Sequence, residues 1–197
     1  AVTSEKYFIP YIQQFCKVSD KLNVLEIGCG DGGNLLPFSR MGCNVVGVDM
    51  CEGRIRDARK FFEEEGAEGR FIASDVFQIE ELRHQFDLVI CHDVIEHIYD
   101  KSGFVQKCKQ MLKEDGVIFI SFPAWHMPFG GHQQLCQSRF LSHLPFFHLL
   151  PAALYGWILK AFKENEECVS GLLDIKRTKC PIELFERTVR KEGFETI

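Results

Sequence analysis

The sequence predicts an α/β protein, a doubly wound and mostly parallel sheet with helices on both faces, and three observations carry that expectation. Five short β-rich runs alternate with helical segments, and parallel neighbours need such crossover connections. The first run breaks into a loop with four glycines, Gly28-Cys29-Gly30-Asp31-Gly32-Gly33. Acids stand at or just beyond the ends of the runs, at Glu26, Asp49, Asp75 and Asp93, and ligands of open α/β sheets bind outside the carboxyl ends of the strands.

Tyr7, Phe8, Tyr11, Ile12 and Phe15 recur at helical spacing, which predicts an amphipathic helix over 5–18. The first strand then runs to residue 27, with a helix over 33–41 and a strand over 45–49 that ends in Asp49. A polar helix over 51–65 leads to a strand over 70–73, closed by Ser74-Asp75. The fourth strand covers 86–91, a helix covers 101–112, Glu114-Asp115-Gly116 makes a turn, and 117–122 is the fifth strand. Beyond Pro123 aromatic residues and histidines outnumber charges. A structureless loop of that length is uncommon in a compact domain, so two or three short helices are expected to form a cap after strand five. Pro181 opens a final helix that ends near Gly193, and 194–197 read as the start of a sixth strand that nothing completes. The expected organisation is one domain, 1–197, with an N-terminal helix (1–20), a cofactor-binding core (21–123), a cap insertion (124–180) and a last helix (181–197).

Composition narrows the function. Lys and Arg number 23 against 28 Asp and Glu, a net charge of −5, which argues against a nucleic-acid partner. Nine cysteines without a CxxC pair read as free thiols in a reducing cytoplasm. The most apolar span, 140–162, is broken by Pro145, Pro151, two histidines and Lys160, so no integral membrane segment is expected. The chain begins with Ala1 rather than Met, consistent with a start that lies upstream.

The glycine loop satisfies G-x-G-x-x-G, and Asp49 stands about 20 residues on, so a dinucleotide site and an NAD-dependent oxidoreductase must be weighed. Glycines there would let backbone N–H groups approach a ligand closely. Glu26 and Asp31, however, are poor neighbours for a pyrophosphate and good ones for a ligand carrying an ammonium and a sulfonium. Asp49 can accept hydrogen bonds from a ribose diol and Asp75 one from an exocyclic amine, while Met50 and Val76 offer apolar faces to a base. Alternatively, Asp49 and Asp75 only cap the next helix or turn of the chain.

Taken together, these residues resemble the class I S-adenosylmethionine-dependent methyltransferases, and among them the methyltransferase type 11 group. The resemblance runs over residues 22–123 and rests on Leu25-Glu26-Ile27-Gly28-Cys29-Gly30-Asp31-Gly32, Val46-Gly47-Val48-Asp49, Ser74-Asp75-Val76, the run from Phe86 through His97 to Ile98, and Leu112-Lys113-Glu114-Asp115-Gly116. It implies a Rossmann-like core that binds S-adenosylmethionine and a sheet that ends in a hairpin of strands six and seven, which are expected to be missing from this chain. Glu26, Gly28, Cys29 and Gly30 would hold the methionine part, Asp49 the ribose hydroxyls, Asp75 and Val76 the adenine, with Met50 a further cofactor-binding residue at the base, and Cys91 and His92 the floor beneath the methyl donor.

Asp93-Val94-Ile95-Glu96-His97 is similar to an acid-x-x-Glu-His run that binds a divalent metal in ubiquinone-type O-methyltransferases and in small-RNA 2′-O-methyltransferases. Many relatives carry Glu-His here without a metal, and two or three local ligands do not complete a coordination sphere, so no residue is assigned to a metal. His126 and His132 flank Pro128-Phe129-Gly130-Gly131 and are the candidate catalytic bases. His143 and His148 sit among Leu, Pro and Phe and read as packing residues.

The expected function is methyl transfer from S-adenosylmethionine to a small-molecule acceptor, by preference to oxygen. The cap composition suggests an acceptor with an aromatic or lipid-like part. The competing readings are the NAD-dependent oxidoreductase and a non-catalytic, cofactor-binding adaptor whose apolar cap docks on a partner.

Overall fold

Five parallel strands stand in the order β3-β2-β1-β4-β5 in the computed structural model, which describes residues 2–196. They are β1 (Asn23–Ile27), β2 (Asn44–Asp49), β3 (Arg70–Ala73), β4 (Phe86–His92) and β5 (Leu112–Ser121). The chain starts in the middle, winds outward through β2 and β3, then returns to β1's other side for β4 and β5. The switch point lies between β1 and β4, where the register pairs Glu26 with Ile90 and Ile27 with Cys91.

Register sorts the side chains, because paired residues of parallel strands point to the same face and successive residues alternate. One face carries Val24, Glu26, Val45, Gly47, Leu88, Ile90 and His92. Against it pack the helical turn α1 (Ile9–Ile12), α2 (Leu36–Arg40) and α3 (Glu52–Glu64), whose Ile12, Leu36, Phe38, Ile55 and Phe62 are buried in the same apolar cluster as Val24, Leu88 and Ile90. The other face carries Leu25, Ile27, Val89 and Cys91, all buried. The helix α4 (Lys101–Met111) buries Phe104, Val105, Cys108 and Met111, and Cys108 is in electrostatic contact with Cys91. Burying each such side chain stabilises the fold by about 1.5–3 kcal/mol.

The expected strands are all present, while two helices are shorter than expected. The N-terminal helix ends at Ile12, gives way to turns, and carries a π-helical stretch over Ser4–Phe8. Its aromatic stripe is split, with Phe8 and Ile12 buried and Tyr7, Tyr11 and Phe15 exposed. The helix expected over 33–41 begins at Leu36, because residues 31–35 turn to bring the glycine loop back to the sheet. Glu114-Asp115-Gly116 lies inside an irregular part of β5, where the pairing jumps from Phe86–Leu112 to Leu88–Val117. Gly116 is required there, since a Cβ would lie 3.0 Å from the Phe86 carbonyl oxygen.

Residues divide into two compact units. The first holds the whole sheet, and the second comprises Asp93–Ser102 and Phe122–Thr196. In the second unit α5 (Arg139–Ser142), α6 (Ala152–Ala161) and α7 (Glu166–Thr178) enclose their own core of Trp125, Cys136, Leu141, Phe147, Tyr155, Leu159, Val169, Leu172 and Ile175. Helix α7, not anticipated from the sequence, is capped by the Asn165 side chain, which accepts from Cys168 N at 2.7 Å. The final helix α8 (Ile182–Lys191) has Pro181 at its N-cap. Residues 194–196, expected to open a sixth strand, lie in no strand. His148 packs as expected, with Nε2 2.7 Å from the Trp125 carbonyl. His143 does not, being exposed against the Arg139 carbonyl at 2.8 Å.

Candidate functional site

The strand ends of the first unit bring together most of the residues expected to hold a cofactor. Glu26 is buried at the end of β1, and its Oε1 accepts from Asn34 Nδ2 at 2.9 Å. Its Oε2 is buried without a hydrogen-bond partner. Burial pushes the carboxyl up to about 8, with the Asn34 hydrogen bond pulling the other way. Such a group accepts a nearby cation readily, since a positive charge would both satisfy the orphan oxygen and favour ionisation.

The glycine loop departs from expectation in a way that decides what it can bind. Gly28 N and Cys29 N donate to the Val48 carbonyl at 2.8 and 3.1 Å, and Gly32 N donates to the Cys29 carbonyl at 2.9 Å. Gly30 N donates to Asp49 Oδ2 at 3.0 Å. These four amides are therefore spent within the chain rather than offered to a ligand. The glycines serve the loop's own path instead: Gly30 has φ +51°, and at Gly47 a Cβ would lie 2.7 Å from Cys29 Sγ. The helix after the loop, only five residues long and without a side-chain cap, adds little positive potential.

Asp49 is held from both sides, since its Oδ1 also accepts from Cys51 N at 2.8 Å. Each carboxylate oxygen keeps a second lone pair for a ligand hydroxyl. Met50 beside it is exposed, Val76 is buried, and Asp75 caps the next short turn by accepting from Phe77 N at 3.0 Å. Of the two expected floor residues, only His92 shares the face of Glu26. Its Nδ1 lies 3.3 Å from Ser121 Oγ, and the Phe8 ring packs against it at 5.0 Å. Cys91 points to the opposite face and is buried beside Cys108, so its thiol lies away from Glu26 and His92. Cys29 is likewise buried, its thiol pushed up by desolvation and by the nearby carboxylates of Glu26 and Asp49.

A second group lies within the other unit. Glu96 is 1% exposed, and both its carboxylate oxygens lack hydrogen-bond partners. His132 Nε2 is 3.3 Å from Glu96 Oε1, yet neither atom makes a hydrogen bond. His97 Nε2 lies 4.0 Å from the same oxygen, and the two imidazoles are 5.3 Å apart. Desolvation holds the His97 imidazole below its ordinary value, against the opposing pull of Glu96. Lone-pair atoms that converge without bonding one another suit a common cationic centre, and one carboxylate with two imidazoles is a chemically apt set. The sequence alone assigns no residue to a metal. Glu96 and His97 are visible in the acid-x-x-Glu-His run, but the third member, His132, comes from a distant loop. His126, the other candidate base, is exposed and stands outside this group.

Residues 25–120 match the family described as the methyltransferase domain. A ubiquinone biosynthesis O-methyltransferase of Actinobacillus pleuropneumoniae is 35% identical over 118 residues, covering 57% of this chain and 50% of the relative. One of the same name from a Chelativorans species is 33% identical over 105 residues, covering 53% of this chain and 42% of the relative. The matched part thus spans about half the length of these curated relatives. A phosphoethanolamine N-methyltransferase 2 of Haemonchus contortus, solved in complex with S-adenosyl-L-methionine, superposes with a TM-score of 0.64 at 22% identity, covering 94% of this chain and 36% of that one. At that identity the likeness speaks for the fold.

Proposed function

We propose, from the premise that residues 25–120 of this chain belong to the class I S-adenosylmethionine-dependent methyltransferases, that the protein transfers a methyl group from S-adenosylmethionine to a hydroxyl oxygen of a small molecule. The observation that carries the reading is the state of the glycine loop. Its amides at Gly28, Cys29, Gly30 and Gly32 are bound within the chain, while Glu26 and Asp49 present carboxylates there. A pyrophosphate would meet the Asp49 carboxylate, a buried Glu26 that it cannot draw into ionisation, and few donors, so the NAD reading loses its physical basis. An ammonium, a sulfonium and a ribose diol would each meet acceptors.

In this reading Glu26 binds the ammonium and Asp49 the ribose hydroxyls, with Asp75 and Val76 at the adenine. Methyl transfer is an in-line displacement, so the protein's contribution is mainly orientation and removal of the hydroxyl proton. We take His132 as the group that accepts that proton, a role supported by the Glu96 carboxylate 3.3 Å from its Nε2. The relatives' name, ubiquinone biosynthesis O-methyltransferase, favours oxygen as the acceptor atom, and the aromatic, apolar composition of the cap favours an acceptor with an aromatic or lipid-like part.

One observation favours a metal-assisted variant of the same reaction. Glu96, His97 and His132 place ligand atoms within 4.8 Å of one another, and the unsatisfied oxygens of Glu96 fit a divalent cation. These three residues would hold the ion, which would lower the pKa of an acceptor hydroxyl. Calorimetry with S-adenosylhomocysteine and with NAD tests the cofactor assignment, and NAD binding alone would overturn it. Methyl transfer from labelled donor to a panel of hydroxylated aromatic and lipid-like acceptors tests the reaction, and transfer to none of them would overturn it. Activity lost on chelation and restored by a divalent ion supports the metal variant, and activity unchanged by chelation rejects it.

A further inference from the structure

The second unit holds another convergent group that the proposed reaction does not use. Cys136, Glu164 and Cys168 place their sulfur and carboxylate atoms within 4.8 Å of one another. Cys136 lies in the apolar core, Glu164 is 7% exposed, and Cys168 is half-buried in the first turn of α7. We propose that these three side chains form a binding site for a borderline-soft divalent cation of the zinc class.

Chemistry favours that ligand. Two thiolates and a carboxylate are a set that zinc takes in preference to the hard cations magnesium and calcium. Glu164 is a buried carboxylate with no lysine, arginine or histidine within ion-pair distance among the described residues. It faces two thiols instead, and buried carboxylates are normally paired or bound to a metal. Its orientation is fixed in advance, since Oε2 accepts from Gln137 N at 2.8 Å and Oε1 from Ser138 N at 2.9 Å. Each oxygen retains a lone pair for a metal, and such outer hydrogen bonds are what hold a ligating carboxylate in place.

A second observation points to the same spot. The Tyr155 side chain is completely buried, its hydroxyl has no hydrogen-bond partner, and it interacts electrostatically with both Cys136 and Cys168. A bound cation or its water would satisfy that hydroxyl. Two sulfurs on one tetrahedral zinc stand roughly 3.8 Å apart, so the site needs to contract by no more than about an ångström from its present span. Binding breaks two S–H bonds, forms two metal–sulfur bonds and releases two protons to the solvent.

The test uses the full, reduced chain titrated with cadmium and with cobalt(II). One equivalent is expected to raise a thiolate-to-metal charge-transfer band. That band is expected to survive in Glu96→Gln, which removes the carboxylate of the oxygen-and-imidazole group, and to vanish in the Cys136→Ser, Cys168→Ser double variant. Because core serines can unfold the unit, a measurement on the unaltered chain runs alongside. Zinc is expected to protect Cys136 and Cys168 from iodoacetamide in peptide mapping while the other cysteines keep their reactivity. Glu164→Gln is expected to weaken affinity by about 10-fold or more. No charge-transfer band, a band that persists in the double variant, or equal alkylation of both cysteines with and without zinc would each overturn the proposal.

Discussion

Glu26 shows how a single buried group ties ligand binding to protons. Its folded-state value of about 8 lies above the ordinary 4.5. The folded chain therefore holds more protons than the unfolded one between those values. Stability of the ligand-free protein is expected to fall as pH rises from about 4.5 to about 8 and to level off above. Urea midpoints across that window should show the decline, and Glu26→Gln should flatten it. A bound ammonium would draw the carboxyl down, so S-adenosylhomocysteine binding at neutral pH should release protons. Calorimetry in buffers of different ionisation enthalpy counts them; an identical count in Glu26→Gln would sink the assignment. Asp49→Ala removes the acceptor for Gly30 N and Cys51 N. The expected outcome is a large loss of affinity for S-adenosylhomocysteine with a stability cost of only about 1–2 kcal/mol, read by calorimetry and thermal unfolding. At this scale the position of the acids is legible because each stands at or just beyond the end of an apolar run, although Asp49 and Asp75 also serve the turns that follow by accepting from Cys51 N and Phe77 N. Cys91 is misplaced by sequence position alone because alternation decides which face a strand residue serves. His132's partner is invisible for another reason: nothing local to residue 132 announces Glu96.

Among the elements, β2 is shaped by what packs across it. A Cβ at Gly47 would lie 2.7 Å from both Cys29 Sγ and Phe71 Cδ1. Gly47→Ala is expected to cost about 1–3 kcal/mol, and the denaturant midpoint should report it. Gly171 is the contrast, an exposed position in α7 where an added Cβ meets nothing within 4 Å. Gly171→Ala should stabilise by about 0.5–1 kcal/mol; a loss at this position would contradict the helix. The strands are readable because continuous β-branched runs between polar turns leave little choice. Helix α1 is overextended by its sequence because aromatic spacing at Tyr7, Tyr11 and Phe15 imitates an inward stripe, yet those rings are exposed. Helix α7 escapes such a reading because its apolar positions, Val169, Leu172 and Ile175, are interleaved with charges in a segment that resembles a connector.

For the molecule as a whole, the division into two compact units has a spectroscopic counterpart. The sheet lies in one unit, and both tryptophans, Trp125 and Trp157, lie in the other. Circular dichroism therefore reports both units, through the strands and helices of the first and the helices of the second, while tryptophan fluorescence tracks only the second. A saturating cofactor bound at Glu26 and Asp49 is expected to raise the dichroism midpoint more than the fluorescence midpoint. Equal shifts would mean that the units unfold as one. The doubly wound topology is legible from strand and helix alternation. Segment 93–102 is not legible as part of the second unit, because only long-range packing assigns it there.

The hydrogen bonds from Gly28 and Cys29 to Val48 bear on how such a crevice could change its ligand. Reversing the charge of Glu26 or Asp49 would remove repulsion toward a nucleotide anion but free none of these amides. Freeing them requires the loop to let go of β2, and with it the link that holds the turn to the sheet. A rearrangement of backbone, not a change of charge alone, therefore separates this loop from an anion-binding one.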